Sequence, residues 1–595
     1  MQSPSMKLPP SGPPQGPNTG QLSFLLARQK VNEEILTYYA ASLVALMAVF
    51  ILSYWIRYAA ARRVWNTSRF MFLYPLVALT RILRRGFLRQ LSGFTSVGHA
   101  ILVLIFVIIN ALFSFYRVDL SKSSNVASRF GWMATGNMAL VVFLALKNTP
   151  LAFLTAYSYE RLNSLHQIAG YTTLVYAILH GSIYTAYFID SGKIFVLQQD
   201  IVTAGIILGF ALLFTALAGL ILRRFKYEIF YIAHLALFVV IVVALGLHRP
   251  SFEPDKTLIV TVLIASLWFS DRLIRLGRLA YNSINNKATV YPLPDGGTRI
   301  VLKKPLSRAR PGKHCYVWLP HIRTFETHPF TIVASEPMEL IINTYSGFTR
   351  DLHRYANEKP GASLTVSIEG PYGTLPDPID YDKVVLVAGG SGATFTFGIA
   401  LDMIRKMTPD SKKQIEFIWT TRGHDNMVWF MQHLNHLITH EYAPKIALKL
   451  HLTRCATTET TLSAIPRSLS QTSTKLPSTS ISIQEKNGDS PSLSTQASSV
   501  ILREKDLEEA GTRKSLHGTE QSLSIGDFSH LPVIYGRPDI EVLVKEAIAS
   551  VAKDQRVLIA ACGPTGLINT VRNTTAGCIR VDGPAVELHC EQFGW

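Results

Sequence analysis

Residues 165–188 read LHQIAGYTTLVYAILHGSIYTAYF and residues 229–248 read IFYIAHLALFVVIVVALGLH, and these two stretches decide how the chain folds. Each is long enough for a membrane-crossing helix, which needs about 20 mostly apolar residues. Each also carries two histidines with the same spacing of 14, His166/His180 in the first and His234/His248 in the second. That spacing is about 3.9 helical turns and about 21 Å of rise, so both histidines of a stretch face nearly the same way. Ionisable side chains at membrane depth are costly and mark functional positions.

Five more apolar runs lie around them: Leu36–Ile56, Val97–Tyr116, Phe130–Leu146, Ile201–Leu222 and Thr257–Phe269. With Leu165–Phe188 and Ile229–Leu247 they make seven expected membrane helices, of which the third and seventh are short. Phe70–Thr80 is too short to span and is read as interfacial. Of the 595 residues 48% are hydrophobic and only 17% charged, which excludes a simple soluble enzyme and a disordered chain. The five cysteines (Cys315, Cys455, Cys562, Cys578, Cys590) all fall in the second half and read as reduced cytosolic thiols. Met1–Gly20 is rich in Pro, Gly and Ser and lacks the apolar core of a signal peptide.

The net charge is 58 − 41 = +17. Because much of the arginine sits between apolar runs, it reads as a topology signal, and no nucleic-acid partner is expected. The stretch 57–96 holds eight arginines and no acid, which places it in the cytosol. Arg223, Arg224 and Lys226, then Arg272, Arg275 and Arg278, fall on the same side when helices are counted. The N-terminus is therefore expected outside, and everything after about residue 271 inside. His166 then lies level with His234 near the cytosolic face, and His180 level with His248 near the outer face. Two facing imidazoles can be the axial ligands of one haem iron, and two levels give two stacked haems. The plainer alternative is that each histidine bonds a neighbouring carbonyl; the unpartnered His99 is read that way. Irons with both axial positions filled relay electrons and do not bind oxygen.

The second half changes texture. Alternating runs at Thr298–Lys303, Cys315–Leu319, Leu340–Thr344 and Leu364–Ile368 suggest a small antiparallel barrel. β-rich runs at Val384–Val387, Ile415–Trp419, Leu448–Leu452 and Val557–Ala560, separated by helical stretches, suggest a parallel α/β domain. Between 456 and 529, 26 of 74 residues are Ser or Thr, read as a disordered insertion. In the barrel, His328-Pro329-Phe330-Thr331-Ile332 offers a hydroxyl, amides and an aromatic edge to a flavin. Gly347-Phe348-Thr349-Arg350 supplies amides and a cation for a pyrophosphate. Glu369-Gly370-Pro371-Tyr372-Gly373 follows. Gly389-Gly390-Ser391-Gly392-Ala393-Thr394, after an apolar strand and before a helix, is a nucleotide loop. Cys562-Gly563-Pro564 ends another strand and would set a thiol beside a nicotinamide ring. Arg422 and Arg537 are candidates for a 2′-phosphate.

Taken together, these features resemble the fungal ferric reductases of the ferric reductase/NADPH oxidase superfamily, over roughly residues 95–595. The resemblance implies FAD, NADPH and two haem b groups, held by a ferric-reductase-like multi-pass α-helical membrane domain and a cytosolic ferredoxin-reductase-like module. It implies that Trp595 lies near the flavin and moves for nicotinamide to stack, with Cys562 as the other catalytic residue. The expected division is a disordered N-terminus 1–35, a first helix and basic loop 36–96, and a haem-binding domain 97–275. An FAD-binding β-barrel follows over 285–380, then an NADPH-binding α/β domain over 381–595. The activity implied is NADPH-dependent reduction of external ferric, or cupric, chelates at the plasma membrane, with the lipid bilayer as setting and an iron permease or oxidase as the kind of partner. The competing readings are a superoxide-producing NADPH oxidase and, from another class, a seven-helix receptor with a nucleotide-sensing domain.

Overall fold

The computed structural model describes residues 19–63, 74–157, 159–249, 255–454 and 531–592. The Ser/Thr-rich insertion 456–529 and Trp595 lie outside the described residues. The first half is helical: α1 (Thr19–Arg63), α2 (Tyr74–Phe87), α3 (Val97–Phe115), α4 (Ser123–Ala145), α5 (Pro150–Thr155), α6 (Tyr159–Asp190), α7 (Asp200–Leu217), α8 (Arg223–Phe225), α9 (Tyr227–Leu247) and α10 (Lys256–Ser283). Among the described residues, five helices are long and apolar enough to cross a membrane: Leu22–Ile56, Val97–Phe115, Asp200–Phe225, Tyr227–Leu247 and Lys256–Ser283. The third and fourth expected spans fall on α4 and α6, which are 23 and 32 residues long but more polar. Much of α4 is buried against other helices, so its polar groups meet protein and not lipid. Arg129 on α4 is 1% exposed. Its guanidinium donates to Asn32 Oδ1 at 2.7 Å and to the carbonyls of Phe113 and Tyr116 at 2.8 Å each.

The unstructured start expected to run to residue 35 is corrected. Helix α1 begins at Thr19. Buried polar groups hold its first turns: Asn32 takes Arg129, Gln29 donates to Glu33 at 2.9 Å, and Lys256 pairs with Glu33 at 3.6 Å. Ile35 and Tyr39 then enter the core of the bundle.

The stretch Phe70–Thr80, expected to be interfacial, lies partly outside the described residues, which resume at Tyr74. Helix α2 leaves Leu79, Ile82, Leu83 and Phe87 exposed. Its arginines turn the other way. Arg81 Nη1 donates to the carbonyls of Val581 (2.6 Å) and Gly583 (2.9 Å), and Arg84 reaches Val586 O (3.2 Å) and the Glu587 carboxylate (3.1 Å).

The barrel is built from β1 (Lys287–Leu293), β2 (Gly297–Leu302), β3 (His314–Trp318), β4 (His328–Ser335), β5 (Met338–Asn343), β6 (Ala362–Thr365) and β7 (Ser367–Tyr372), with α11 (Phe348–Glu358) between β5 and β6. The strands run in the order β6-β1-β2-β5-β4-β3-β7. β6 and β7 end that order yet are joined through Val366 alone, so the antiparallel sheet curls on itself. The single run expected at Leu364–Ile368 is therefore two strands on opposite edges. Alternate inward residues such as Val290, Ile300, Val317, Ile332 and Leu340 fill the interior with the apolar face of α11.

The last part is a six-stranded parallel sheet ordered β11-β10-β9-β8-β12-β13. Its strands are β8 (Lys383–Gly389), β9 (Gln414–Thr421), β10 (Ile446–Leu452), β11 (Val533–Tyr535), β12 (Arg556–Cys562) and β13 (Ala585–Glu591). Helices α12 (Ala393–Lys406), α13 (His424–Val428), α14 (Met431–Thr439), α15 (Ile540–Ala549) and α16 (Thr565–Cys578) connect them. β8 and β12 are near-continuous apolar runs because a parallel sheet is covered on both faces.

Candidate functional site: facing histidines and a two-domain flavin module

The four membrane histidines pair as their spacing requires. His166 on α6 faces His234 on α9 with ring centroids 6.3 Å apart, and His180 faces His248 with centroids 5.9 Å apart. Three of the rings are oriented through Nδ1: His166 to Val141 O at 2.9 Å, His180 to Ala127 O at 2.8 Å, and His248 to Ile201 O at 2.6 Å. A carbonyl can only accept, so each Nδ1 carries the proton and each Nε2 keeps its lone pair for a metal. Nδ1 of His234 is buried with no hydrogen-bond partner, and its ring packs on Phe230 at 5.3 Å.

Two glycines make room for the His180/His248 pair. A Cβ at Gly131 would lie 2.7 Å from His180 Cε1, and one at Gly205 would lie 2.4 Å from His248 Cε1. An axial imidazole nitrogen sits about 2 Å from a metal, and the ring centre about 1 Å behind it, so two imidazoles on one iron have centroids about 6 Å apart. The observed separations and the free Nε2 atoms therefore fit a bis-histidine haem at each level.

The flavin candidates also converge. β4 begins with His328, whose ring stacks on Phe348 at 4.3 Å and 19° and whose Nε2 meets Glu326 at 3.0 Å. Thr331 lies opposite His314 and Pro329 opposite Tyr316 in the β3–β4 pairing. Gly347, at φ 75°, turns the chain into α11, and Thr349 Oγ1 accepts from the Tyr345 amide at 2.8 Å. Arg350 is exposed. Phe348 and Ile332 are 2% and 0% exposed, and their side chains pack in the barrel core. The loop lies close to the membrane bundle: a Cβ at Gly347 would be 3.4 Å from Glu228 Oε1, at the start of α9. His234 is six residues further along that helix, about 9 Å of rise.

The nucleotide loop is a strand–turn–helix as its sequence requires. β8 ends at Gly389, Gly390–Gly392 forms a tight turn, and α12 starts at Ala393. Trp419 Nε1 donates to Gly390 O at 3.1 Å, and Thr394 Oγ1 to Ser391 O at 3.0 Å. A Cβ at Gly392 would lie 2.4 Å from Cys562 O, so only glycine lets the two loops meet. Gly563 and Pro564 pack against Gly389. Cys562 is buried; burial first, then Glu591 and Cys590, push its thiol up, so it stays protonated. α12 also rests on β4, which joins the nucleotide loop to the flavin strand.

Arg422 and Arg537 are exposed just past the ends of β9 and β11. Arg454, unforeseen from sequence because the Ser/Thr-rich run begins just after it, is exposed past the end of β10, between them in the sheet. Its amide donates to Arg422 O at 3.0 Å. Three exposed arginines thus follow the C-terminal ends of three neighbouring strands.

A helical bundle with two facing imidazole pairs, joined to an antiparallel barrel and a six-stranded parallel sheet, is the architecture of a multi-domain membrane chain. Residues 130–245 match the ferric reductase like transmembrane component, 282–375 an FAD-binding domain, and 381–576 the ferric reductase NAD binding domain. Over these three segments the chain is similar to ferric reductases. It is 30% identical to the probable cell surface ferric reductase kap2 of Aspergillus oryzae, over 62% of this chain and 53% of the relative. It is 24% identical to ferric/cupric reductase transmembrane component 2 of Saccharomyces cerevisiae, over 82% of this chain and 64% of that protein. The chain thus spans between half and two thirds of the length of these relatives. Among solved structures, the ferredoxin reductase in carbazole 1,9a-dioxygenase overlaps 52% of this chain and 69% of its own, at 15% identity and a TM-score of 0.31.

Proposed function

We propose that the chain carries electrons from cytosolic NADPH across the plasma membrane to an external ferric or cupric chelate. The observation that carries this reading is the two facing histidine pairs at two levels, each with a geometry that suits one iron. When bound, NADPH, FAD and two b-type haems supply hydride donation, splitting of the electron pair and single-electron relay. His166 and His234 would hold the inner haem, and His180 and His248 the outer one. The carbonyls of Val141, Ala127 and Ile201 hold the ligating tautomer of three of the four rings. The β4 start and the α11 N-terminus would bind FAD. The Gly389–Thr394 loop would receive the pyrophosphate of NADPH, and Arg422, Arg454 and Arg537 its 2′-phosphate. The Cys562 thiol would flank the nicotinamide as a neutral group, and Trp595 would cover the flavin. The basic loop between α1 and α3 and the arginines of α8 and α10 favour an external N-terminus. An iron permease or oxidase is the partner class such an output would feed.

The test is the purified chain supplied with NADPH, comparing chelate reduction with superoxide yield under air and under argon. Chelate reduction that persists under argon, with a b-type haem spectrum on dithionite reduction, supports the proposal. A dominant superoxide yield assigns oxygen as acceptor, and a chain that binds no haem overturns the electron-relay reading.

A further inference from the structure

A buried charged cluster lies where the membrane bundle meets the barrel, and neither the histidine pairs nor the flavin and nucleotide loops use it. Arg275, near the end of α10, donates from Nε to Glu369 Oε1 at 2.7 Å and from Nη2 to Oε2 at 3.0 Å. This is the two-pronged fit of guanidinium to carboxylate, which fixes angle as well as distance. The two side chains are 9% and 0% exposed. Tyr372 donates its hydroxyl to the same carboxylate. The Arg275 guanidinium lies 5.8 Å from the Tyr316 ring centre, and Lys147 Nζ, just past α4, lies 3.4 Å from it.

Further bonds lock the junction. The backbone and side-chain amides of Asn148 both donate to Asp271 Oδ1 at 3.0 Å. Asn282 Nδ2 donates to Ile368 O at 2.7 Å, and Ser367 Oγ to Leu279 O at 2.5 Å. The last turns of α10 are thereby fastened along β7.

A buried ion pair is a poor device for stability alone, since well-packed apolar residues often do as well, but it holds its partners in one relative orientation. The strand register shows what is being oriented. Tyr316 on β3 lies opposite Glu369 on β7 and opposite Pro329 on β4. Glu369, Tyr316 and the flavin-candidate strand therefore stand in one row across three neighbouring strands. On its other side α10 packs on α9: Trp268 lies 5.4 Å from Phe238, four residues beyond His234. The ion pair thus joins the element beside the inner histidine pair to the strand row that ends at the flavin strand.

We infer that Arg275 and Glu369, with Tyr372, are positioning residues for the flavin-to-membrane electron step. The inference rests on the electron-relay reading above. In that step one electron leaves the reduced flavin and one arrives at the His166/His234 level, and the flavin's proton goes to cytosolic solvent. The three residues touch none of the reacting atoms; they set the separation and angle over which the electron passes. The Gly389–Thr394 loop takes part in none of the bonds named at this junction, so hydride transfer from nicotinamide to flavin should not depend on it.

The experiment uses the full chain in lipid nanodiscs, loaded with FAD and haem and mixed anaerobically with NADPH while flavin and haem absorbance are followed separately. Glu369→Gln should bleach flavin at the wild-type rate and slow haem reduction by about 10- to 100-fold, the scale of a misplacement of about 1 Å. Tyr372→Phe should slow the same phase by less. The exchanged pair Arg275→Glu with Glu369→Arg should recover part of the rate that Glu369→Gln loses. If Glu369→Gln does not accumulate, Tyr372→Phe decides. Parallel slowing of both phases, no slowing of either, or loss of bound FAD from these variants overturns the positioning role. A wild type that bleaches flavin but never reduces haem overturns the parent reading instead.

Discussion

Substitution of Gly205 by alanine tests the outer histidine level with one methyl group. Carbon atoms in contact rest about 3.5–4.0 Å apart. The added Cβ would stand 2.4 Å from His248 Cε1 and 2.5 Å from its Nδ1, an overlap of about 1 Å or more. The imidazole has little room to yield, because its Nδ1 is bonded at 2.6 Å to Ile201 O on the same helix as Gly205. An axial bond of about 2 Å does not survive a displacement of that size. Gly205→Ala should therefore lower haem content from two groups per chain to one, and chelate reduction by about 100-fold. Reduction of a soluble artificial acceptor by NADPH should persist. Gly209→Ala is the control: it lies one turn along α7, and a Cβ there meets nothing within 4 Å. By helix propensity alone that change stabilises by about 0.5–1 kcal/mol. Haem-to-protein ratio and chelate reduction measured on both variants settle the matter. Gly205→Ala with two haems and full chelate reduction would refute the axial role of His248.

His166→Ala or His234→Ala should remove the inner haem and stop transmembrane transfer, with flavin turnover to a soluble acceptor intact; two retained haems by spectrum would contradict the pairing. Arg537→Ala should raise the NADPH KM by about 10- to 150-fold, the worth of a charge-assisted contact of about 1.5–3 kcal/mol, and leave NADH unchanged; equal losses for both nucleotides would exclude a 2′-phosphate contact. Deleting 456–529 behind a short flexible linker should leave turnover in place, and loss of FAD or NADPH binding would show the segment to be structural. His589 has its pKa lowered, first by burial and against the opposing pull of Glu591. Because the unfolded chain takes up this proton more readily, the stability held by the neutral ring is present above about pH 6.5 and is lost as pH falls below it. Tm of the chain should drop between about pH 7 and pH 5, and His589→Phe should flatten that dependence.

What could be read from the chain depended on whether the signal was local. The 14-residue histidine spacing is a property of one helix at a time, and parallel helices then bring the levels together without further information. The Gly389–Thr394 loop is likewise local, since strand, turn and helix follow one another directly. Long-range partnerships were hidden. Arg275 stood in a cluster with Arg272 and Arg278 that is fully accounted for by membrane orientation, and Glu369 in a motif dominated by its glycines and proline. Nothing in either stretch announces a partner 94 positions away. The start of α1 was missed for a related reason: Gln29, Asn32 and Glu33 look like a solvated segment until Arg129 and Lys256 are seen beside them. The strands β6 and β7 merged into one run because a single residue separates them, and only closure of the sheet tells them apart.

The contact of Arg81 with Val581 O joins residues 500 positions apart, the first basic loop to the edge of the sheet formed last in the chain. During synthesis α2 emerges hundreds of residues before β13, so its arginines meet these partners only late in the folding of the chain. Once β13 forms, Arg84 covers its outer edge at Val586 and Gln90 bonds Asn573 on α16. Without β13 the Val586 carbonyl and the Glu587 carboxylate that Arg84 binds would be missing and β12 would be a bare sheet edge, which invites pairing with other chains. The clasp therefore ties closure of that sheet edge to the basic helix ahead of the bundle: where β13 pairs with β12, Arg84 gains two acceptors on it.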